Sequence, residues 1–293
     1  MRSSKAAVTL IGLALLGVYA CSMPAYGQAG KIVFLAAPKD HGVPGRHEYE
    51  KDLRVLAYCL EHSTNLKDVT TKVYVGKAPG IDELKDSAAI VVESDGDRSA
   101  SEHHPLFPAN ATTDHGKYSP EAAGFLKDFD ELMKKGVGLV VFHYATEIDN
   151  ETARQYYMDW VGGYYASEPG VRNNPVDTWS ITLQNEGHPI LRGVHPWSYK
   201  EEIFTKFQLR EGPQLTPLII ATPAAANFGP RIVSWAYQRK EGGRGFVMGG
   251  MDMHVNLQIE DNRRLLLNGI IWAARMEVPA GGVASTVSDD VMK

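Results

Sequence analysis

The segment VGLVVFHYATE, residues 137–147, contains an apolar run from 139 to 142 that ends abruptly on His143. A short run of this kind, preceded by a helix-like segment and a glycine, is typical of a strand buried on both faces of a parallel sheet. In open α/β sheets, ligands bind outside the carboxyl ends of the strands. His143, Tyr144 and Glu147 are therefore candidate site residues. The alternative is a strand end whose polar side chains are only solvated or hydrogen-bonded.

Apolar runs and helix-like segments alternate on both sides of this strand. On the amino-terminal side we predict strands at residues 31–37, 70–75 and 88–93 and helices at 49–62, 81–84 and 120–135. On the carboxyl-terminal side we predict helices at 151–160 and 262–274 and strands at 179–183, 207–209, 218–222, 232–237 and 245–248. The strand–helix alternation predicts an α/β fold whose mostly parallel sheet is covered on both faces.

Composition indicates an ordinary globular protein. The chain has 293 residues, of which 44% are hydrophobic and 22% are charged. We find no interior boundary between residues 30 and 277 and predict one domain there. Residues 278–293 are small and polar, which predicts a disordered tail. The net charge of -5 without a basic block leads us to expect no nucleic-acid partner.

Residues 1–27 have the features of a secretory signal peptide. Arg2 and Lys5 precede an apolar stretch over residues 6–20, and small residues follow near position 27. The apolar stretch is short for a stable membrane span. We therefore predict export to the periplasm or the extracellular space. Lipoprotein processing at Cys21 is the weaker alternative, because the residues before it only loosely resemble a lipobox.

Polar residues also follow the first and the last predicted strands. They are His41, His47, Glu48 and Tyr49 after the first strand, and Asp252 and His254 after the last. We expect the strand ends to bring His47, His143 and His254 into one crevice. Imidazole and carboxylate ligands suit a divalent metal such as Zn²⁺ or Mn²⁺, which predicts a metal held by these three histidines. A hydrogen-bonded histidine cluster without metal is the alternative.

Several motifs occur in an order that matches a known family. They are the loop at 41–49, the segment 136–147, WVGGY at 160–164, Asn174-Pro175, HPI at 188–190, EEIF at 201–204, the segment 249–254 and NGIIWA at 268–273. In this order the chain resembles the ThuA-like (trehalose utilisation) family, with a class I glutamine amidotransferase-like fold. The resemblance implies a flavodoxin-like three-layer sandwich with a mostly parallel central sheet over residues 30–277.

The sequence departs from the amidotransferase pattern at the strand-to-helix elbow. Amidotransferases of this fold carry a nucleophilic cysteine there, whereas this chain has His143, and Cys59 lies elsewhere. The departure argues against glutaminase chemistry. ThuA-like proteins often have a further histidine near the position of Asp252, so Asp252 could replace it as a ligand.

The resemblance implies a role in the degradation of oxidised disaccharides, whose sugars carry a 3-keto group. A divalent ion could polarise the ketone while His143 or Glu147 moves a proton, giving isomerisation, elimination or hydrolysis of a 3-keto-glycoside. The alternative is a non-catalytic carbohydrate-binding protein whose aromatic residues stack on sugars. A small-molecule sugar is the expected partner in both cases, and the sequence leaves the oligomeric state open.

These expectations assign roles to individual residues. The predicted catalytic residues are His143, Glu147, Tyr144, Glu48 and Asp252. The predicted substrate-binding residues are His41, Tyr49, Trp160, Tyr164, Arg172, Asn174 and Glu202. The predicted metal ligands are His47, His143 and His254.

Overall fold

A computed structural model describes residues 30–97, 104–107, 118–166 and 173–293. The predicted signal peptide, the alternative lipid site at Cys21 and the predicted substrate-binding residue Arg172 lie outside these ranges. None of the helices within them combines the length and the apolar character that crossing a membrane requires.

The described residues form a large α/β domain, and the predicted helices and strands are present near their predicted positions. The strands are β1 (Gly30–Ala36), β2 (Val69–Val75), β3 (Ala89–Glu93), β4 (Gly138–Phe142), β5 (Gly163–Tyr165), β6 (Val176–Leu183), β7 (Ser198–Glu202), β8 (Phe207–Leu209), β9 (Leu215–Pro223), β10 (Arg231–Gln238) and β11 (Arg244–Met248). The helices are α1 (Tyr49–Glu61), α2 (Ile81–Leu84), α3 (Pro120–Lys134), α4 (Glu151–Trp160) and α5 (Glu260–Ala273).

The central sheet has the strand order β2-β1-β3-β4-β11-β10-β9-β6-β7. The strands from β2 to β11 in this order pair in parallel with their neighbours. Helices α1, α2 and α3 connect the successive strands β1, β2, β3 and β4, as crossover connections between parallel strands require. From β11 to β7 each strand pairs antiparallel with its neighbour. The predicted α/β fold with a mostly parallel central sheet is confirmed, and the antiparallel extension adds to it. A separate two-stranded sheet pairs β5 with β8.

Helices cover both faces of the sheet and form the predicted three layers. Alternate residues of β1 show the two sides. Ile32 and Phe34 belong to the core beneath α1 and α5. Val33 and Leu35 belong to the core beneath α3 and α4. Because successive side chains of a strand point to opposite faces, the apolar run at residues 32–36 of β1 is buried on both sides.

The segment from 278 to 293 packs against the domain, in contrast to the predicted disordered tail. Val283 is fully buried, and its backbone N–H donates to Oδ1 of Asn268 at 2.8 Å. Arg263 Nε donates to Ser285 Oγ at 2.9 Å. Composition alone missed this packing, because a few apolar residues spaced through a polar segment are sufficient to anchor it.

Candidate functional site

Three residues with an uncommon backbone conformation lie at the carboxyl edge of the sheet. His143 follows β4 with φ of 47°, His47 precedes α1 with φ of 52°, and Met251 follows β11 with φ of 108°. A residue other than glycine in such a conformation costs about 1–3 kcal/mol, and such residues concentrate at functional sites. The strain marks this edge as the candidate site, as the sequence predicts.

His47, His143 and Asp252 form a compact buried group, here called the His–His–Asp cluster. One ligand atom from each side chain lies within 4.8 Å of the others. The rings of His47 and His143 stack with centroids 5.4 Å apart. Nε2 of His47 lies 3.1 Å from Oδ1 of Asp252. Two imidazoles and one carboxylate at this spacing are a suitable donor set for a divalent transition metal.

Several polar atoms of the cluster have no hydrogen-bond partner among the described residues. They are Nε2 of His143, Nδ1 of His47 and Oδ1 of Asp252, since the contact between His47 and Asp252 lacks hydrogen-bond geometry. Nδ1 of His143 lies 3.2 Å from the Gly249 carbonyl oxygen. Donation from this nitrogen leaves the lone pair on Nε2, the arrangement that orients histidine ligands in metal sites. Because buried polar groups are rarely left unpaired, the cluster is suited to receive an ion.

Burial keeps both cluster histidines neutral. Desolvation, with a further contribution from His143, lowers the pKa of His47 to about 2. Desolvation also lowers the pKa of His143 to about 3. Neutral imidazole is the form that binds metals. Burial raises the pKa of Asp252, and Arg46 opposes this rise by donating from Nε to Oδ2 of Asp252 at 2.6 Å.

A polar wall adjoins the cluster and contains two predicted substrate-binding residues. Arg46 forms an ion pair with Glu202 as well as with Asp252. Asn174 Nδ2 donates to Oε1 of Glu202 at 2.5 Å and to the hydroxyl of Tyr144 at 3.1 Å. The Tyr144 ring stands edge-on to His143, with centroids 4.9 Å apart. These amide, hydroxyl and carboxylate groups are of the kind that bind sugar hydroxyls.

Two further predicted residues lie beside His47. The exposed His41 ring is 4.1 Å from the His47 ring, between centroids. Its Nδ1 lies 2.6 Å from Oδ1 of Asp40, and this hydrogen bond raises the pKa of His41. The buried Tyr49 ring lies 6.0 Å from His47. The structure therefore brings His41 and Tyr49 to the edge of the His–His–Asp cluster.

His254, a predicted metal ligand, is outside the His–His–Asp cluster. Its Nδ1 is paired with Oδ1 of Asp52, and its Nε2 lies 2.8 Å from the carbonyl oxygen of Met292. With both ring nitrogens engaged, His254 has no lone pair for an ion. Asp252, two residues earlier, lies with His47 and His143 in the cluster instead.

Glu48 also points away from the cluster. Its Oε1 accepts hydrogen bonds from Lys39 Nζ at 2.7 Å and from the Gly45 backbone N–H at 2.9 Å. Glu48 thus fastens the loop that carries His47, and these contacts give no support to its predicted catalytic role. Glu147, by contrast, is close enough to Tyr144 for its charge to raise the pKa of that phenol, although burial is the larger cause.

Two of the aromatic residues predicted to bind the sugar, Trp160 and Tyr164, lie elsewhere. Trp160 is 1% exposed in the core beneath α3 and α4, and its Nε1 donates to Oδ1 of Asp130 at 2.8 Å. Tyr164 packs at the edge of the same core, with the Arg154 guanidinium over its ring at 5.5 Å. Neither has a contact with the cluster among the described residues, so the structure gives no support to the sugar-binding predictions for Trp160 and Tyr164.

Sequence reasoning overlooked two residues that contact Asp252. Arg46 binds its carboxylate, and Glu201 accepts its backbone N–H at 3.1 Å. Arg46 immediately precedes His47, so its position in the polar loop was a usable signal. Glu201 belongs to the EEIF motif, but the motif did not indicate its contact with Asp252, because that contact joins segments about fifty positions apart.

Comparison with known sequences identifies the family. The sequence profile described as "Trehalose utilisation" (ThuA) matches residues 112–273, more than half of the chain. Among curated proteins, no sequence relative matches.

Solved structures show the same fold at low sequence identity. A ThuA-like protein from Parabacteroides merdae is 16% identical with a TM-score of 0.56, over 90% of this chain and 94% of that one. A ThuA-like protein from Bacteroides uniformis is 15% identical with a TM-score of 0.55, over 86% and 94%. Agd3, a carbohydrate deacetylase, is 9% identical with a TM-score of 0.50, over 84% of this chain and 32% of that one. The predicted resemblance is confirmed: the chain belongs to the ThuA, or trehalose utilisation, family.

Proposed function

We propose that this chain is an exported enzyme of carbohydrate metabolism that carries out metal-assisted acid–base chemistry on a 3-keto-glycoside or a related sugar. The observation that carries the proposal is the buried His–His–Asp cluster. One ligand atom from each of its side chains lies within 4.8 Å of the others, and each side chain has a polar atom without a hydrogen-bond partner among the described residues. The description of its family, trehalose utilisation, supports a sugar as the substrate. The signal-like sequence of residues 1–27 supports export.

A divalent ion such as Zn²⁺ or Mn²⁺ would be held by His47, His143 and Asp252. Three protein ligands leave open positions, which is typical of catalytic rather than structural metal sites. When bound, such an ion would supply a Lewis acid that polarises a ketone oxygen. The Arg46 guanidinium on Oδ2 of Asp252 would fix the carboxylate so that its Oδ1 faces the two imidazoles.

The remaining residues would bind the sugar and move its proton. Asn174 and Glu202 present an amide and a carboxylate beside Tyr144, where they would orient sugar hydroxyls. Since His143 would serve as a ligand, proton transfer at the carbon next to the ketone falls to Glu147, which neighbours Tyr144. A positioned acid–base group of this kind typically contributes about 10²–10⁴-fold in rate.

The first test is metal content. We expect elemental analysis of the purified protein to find about one divalent ion per chain, removable by chelation. We also expect turnover of 3-keto-glycosides to be lost on chelation and in His143→Ala. His195→Ala is the matched control, since that histidine is exposed and pairs with Asp261 away from the cluster.

Two results would contradict the proposal. Unchanged turnover in His143→Ala would exclude the cluster from the chemistry. Sugar binding with neither metal nor turnover would favour the non-catalytic carbohydrate-binding alternative, for which the polar wall of Arg46, Asn174 and Glu202 would be sufficient.

A further inference from the structure

Glu201, at the end of β7, is a fully buried carboxylate directly behind the His–His–Asp cluster. Its Oε1 accepts the backbone N–H groups of Glu202 at 2.7 Å, Asp252 at 3.1 Å and Met253 at 3.2 Å. Its Oε2 accepts Nδ2 of Asn256 at 2.9 Å. Every one of these partners donates a hydrogen. Burial raises the pKa of Glu201, and the hydrogen bonds from Asn256, Glu202 and Met253 oppose that rise.

The segment that Glu201 holds has an irregular backbone. Residues 249–252 belong to neither a helix nor a strand, and Met251 has φ of 108°. A non-glycine residue keeps such a conformation only where its surroundings impose it. The two backbone N–H groups that follow Met251, those of Asp252 and Met253, donate to Glu201. The Glu201 side chain thus accepts the hydrogen bonds that a neighbouring strand would accept in a regular sheet.

Besides the hydrogen bond from its backbone N–H to Glu201, Asp252 has three further contacts. Its carbonyl oxygen accepts the backbone N–H of His47 at 2.9 Å, and Arg46 binds its Oδ2. Nε2 of His47 faces its Oδ1. Among the described residues, Glu201 is the acceptor of the backbone N–H of Asp252, and this bond restrains the direction in which the Asp252 side chain leaves the backbone.

We propose that Glu201 is a positioning residue that aims the Asp252 carboxylate at the two cluster imidazoles and so sets the affinity of the site for a divalent ion. This inference rests on the metal site proposed above. A purely structural carboxylate would contribute to the stability of the fold and leave the metal affinity of the folded protein unchanged. The two roles therefore differ in a measurable way.

The experiment compares the binding of Mn²⁺ and Zn²⁺ to the full-length wild-type protein and to Glu201→Gln by calorimetry. The amide of glutamine turns an N–H₂ group toward donors and cannot accept all four hydrogen bonds. We expect affinity for the ion to fall about 10–100-fold, as when other groups behind metal ligands are removed. Hydrogen exchange at the backbone N–H groups of Asp252 and Met253 should accelerate in the same variant.

Two further variants complete the test. Glu61→Gln is the matched control, because Glu61 also accepts a backbone N–H, that of Thr71 at 3.0 Å, at the end of α1. It should bind the ions like the wild type. Glu201→Asp keeps a charged acceptor and should lose less affinity than Glu201→Gln. If Glu201→Gln does not fold, the comparison of ion affinity between Glu201→Asp and the wild type tests the positioning role.

The outcomes separate this inference from the proposed function. Wild-type affinity and unchanged exchange at positions 252 and 253 in a folded Glu201 variant would overturn the positioning role and leave the metal site intact. A wild-type protein that binds neither ion would overturn the metal site, and hydrogen exchange alone would then decide whether Glu201 holds Asp252.

Discussion

His143 and His104 are both fully enclosed, and burial lowers the pKa of each to about 3, yet their surroundings differ. Nε2 of His104 lies 3.1 Å from the Tyr157 hydroxyl and 3.3 Å from the Ala145 carbonyl oxygen. Its Nδ1 accepts the backbone N–H of Leu106 at 3.2 Å. His143 uses only Nδ1, and its Nε2 has no hydrogen bond within the described part of the chain.

The comparison shows that burial and a depressed pKa do not by themselves mark a functional histidine. Both features arise from desolvation, which acts equally on a packing residue and on a ligand. The informative difference is the unsatisfied nitrogen, since leaving a buried polar atom unpaired costs about 1–3 kcal/mol. The ring nitrogens of His104 have hydrogen-bond partners and His104 stabilises the fold, whereas Nε2 of His143 needs a partner that the described residues do not supply.

The largest expected effect is a contrast between the two histidines: replacing His143 should lower metal affinity, and replacing His104 should lower stability. His143→Asn should lower affinity for Mn²⁺ or Zn²⁺ by at least about 100-fold, because it removes a direct ligand, whereas groups behind ligands account for 10–100-fold. His104→Asn should leave this affinity unchanged and lower the free energy of unfolding by about 1–3 kcal/mol, since Leu106, Ala145 and Tyr157 lose a buried partner. Calorimetry and urea unfolding measure the two quantities. Equal metal loss in both variants would abolish the distinction.

The second prediction concerns acid sensitivity. Folded His104 stays neutral down to about pH 3, whereas in the unfolded chain it binds a proton below its ordinary pKa of 6.5. Between these values the unfolded state binds more protons, so stability is fully present above pH 6.5 and falls as the pH decreases. The slope is about 1.4 kcal/mol per pH unit for one such group.

The wild type should therefore lose about 2 kcal/mol more than His104→Asn between pH 7 and pH 5. Urea unfolding of both proteins at the two pH values measures this difference. An equal decrease in the free energy of unfolding of the two proteins would show that His104 takes up a proton in the folded state. His104 and His143 would then not share a neutral, buried imidazole.

The smallest expected effect extends the contrast to the aromatic residues. Trp160→Phe removes the hydrogen bond to Asp130 and should lower the free energy of unfolding by about 1 kcal/mol, or more if the smaller ring leaves a void. Sugar and metal binding should not change, because Trp160 is a core residue. A clear loss of sugar affinity in a stably folded Trp160→Phe protein would instead restore the role that the sequence suggested.

Local patterns were sufficient to locate the site, because His47 and His143 each follow a buried strand whose end could be recognised. They could not decide between Asp252 and His254. That choice depends on the turn at Met251 and on Asp52 and Met292, which occupy the nitrogens of His254 from distant parts of the chain. No spacing rule encodes such contacts.

The same limit applies to the fold. The alternation of strands and helices predicted the parallel half, because each strand there is followed by its own helix. The pairing of β6 with β9 and β7 depends on side-chain packing between separate segments, and its register was not readable. Trp160 shows a related ambiguity, since an aromatic residue at helical spacing fits a core and a binding surface equally well.

The position of β11 has a consequence for folding during synthesis. It is the last strand of the chain, yet it lies between β4 and β10 and joins β4 through four residue pairs. On the ribosome, β4 and β10 are therefore made before the strand that unites them, and each presents an open edge that neighbouring nascent chains can pair with. We therefore expect the risk of aggregation during translation to be highest just before Arg244–Met248 emerges from the ribosome. A chaperone that shields strand edges would act in that interval.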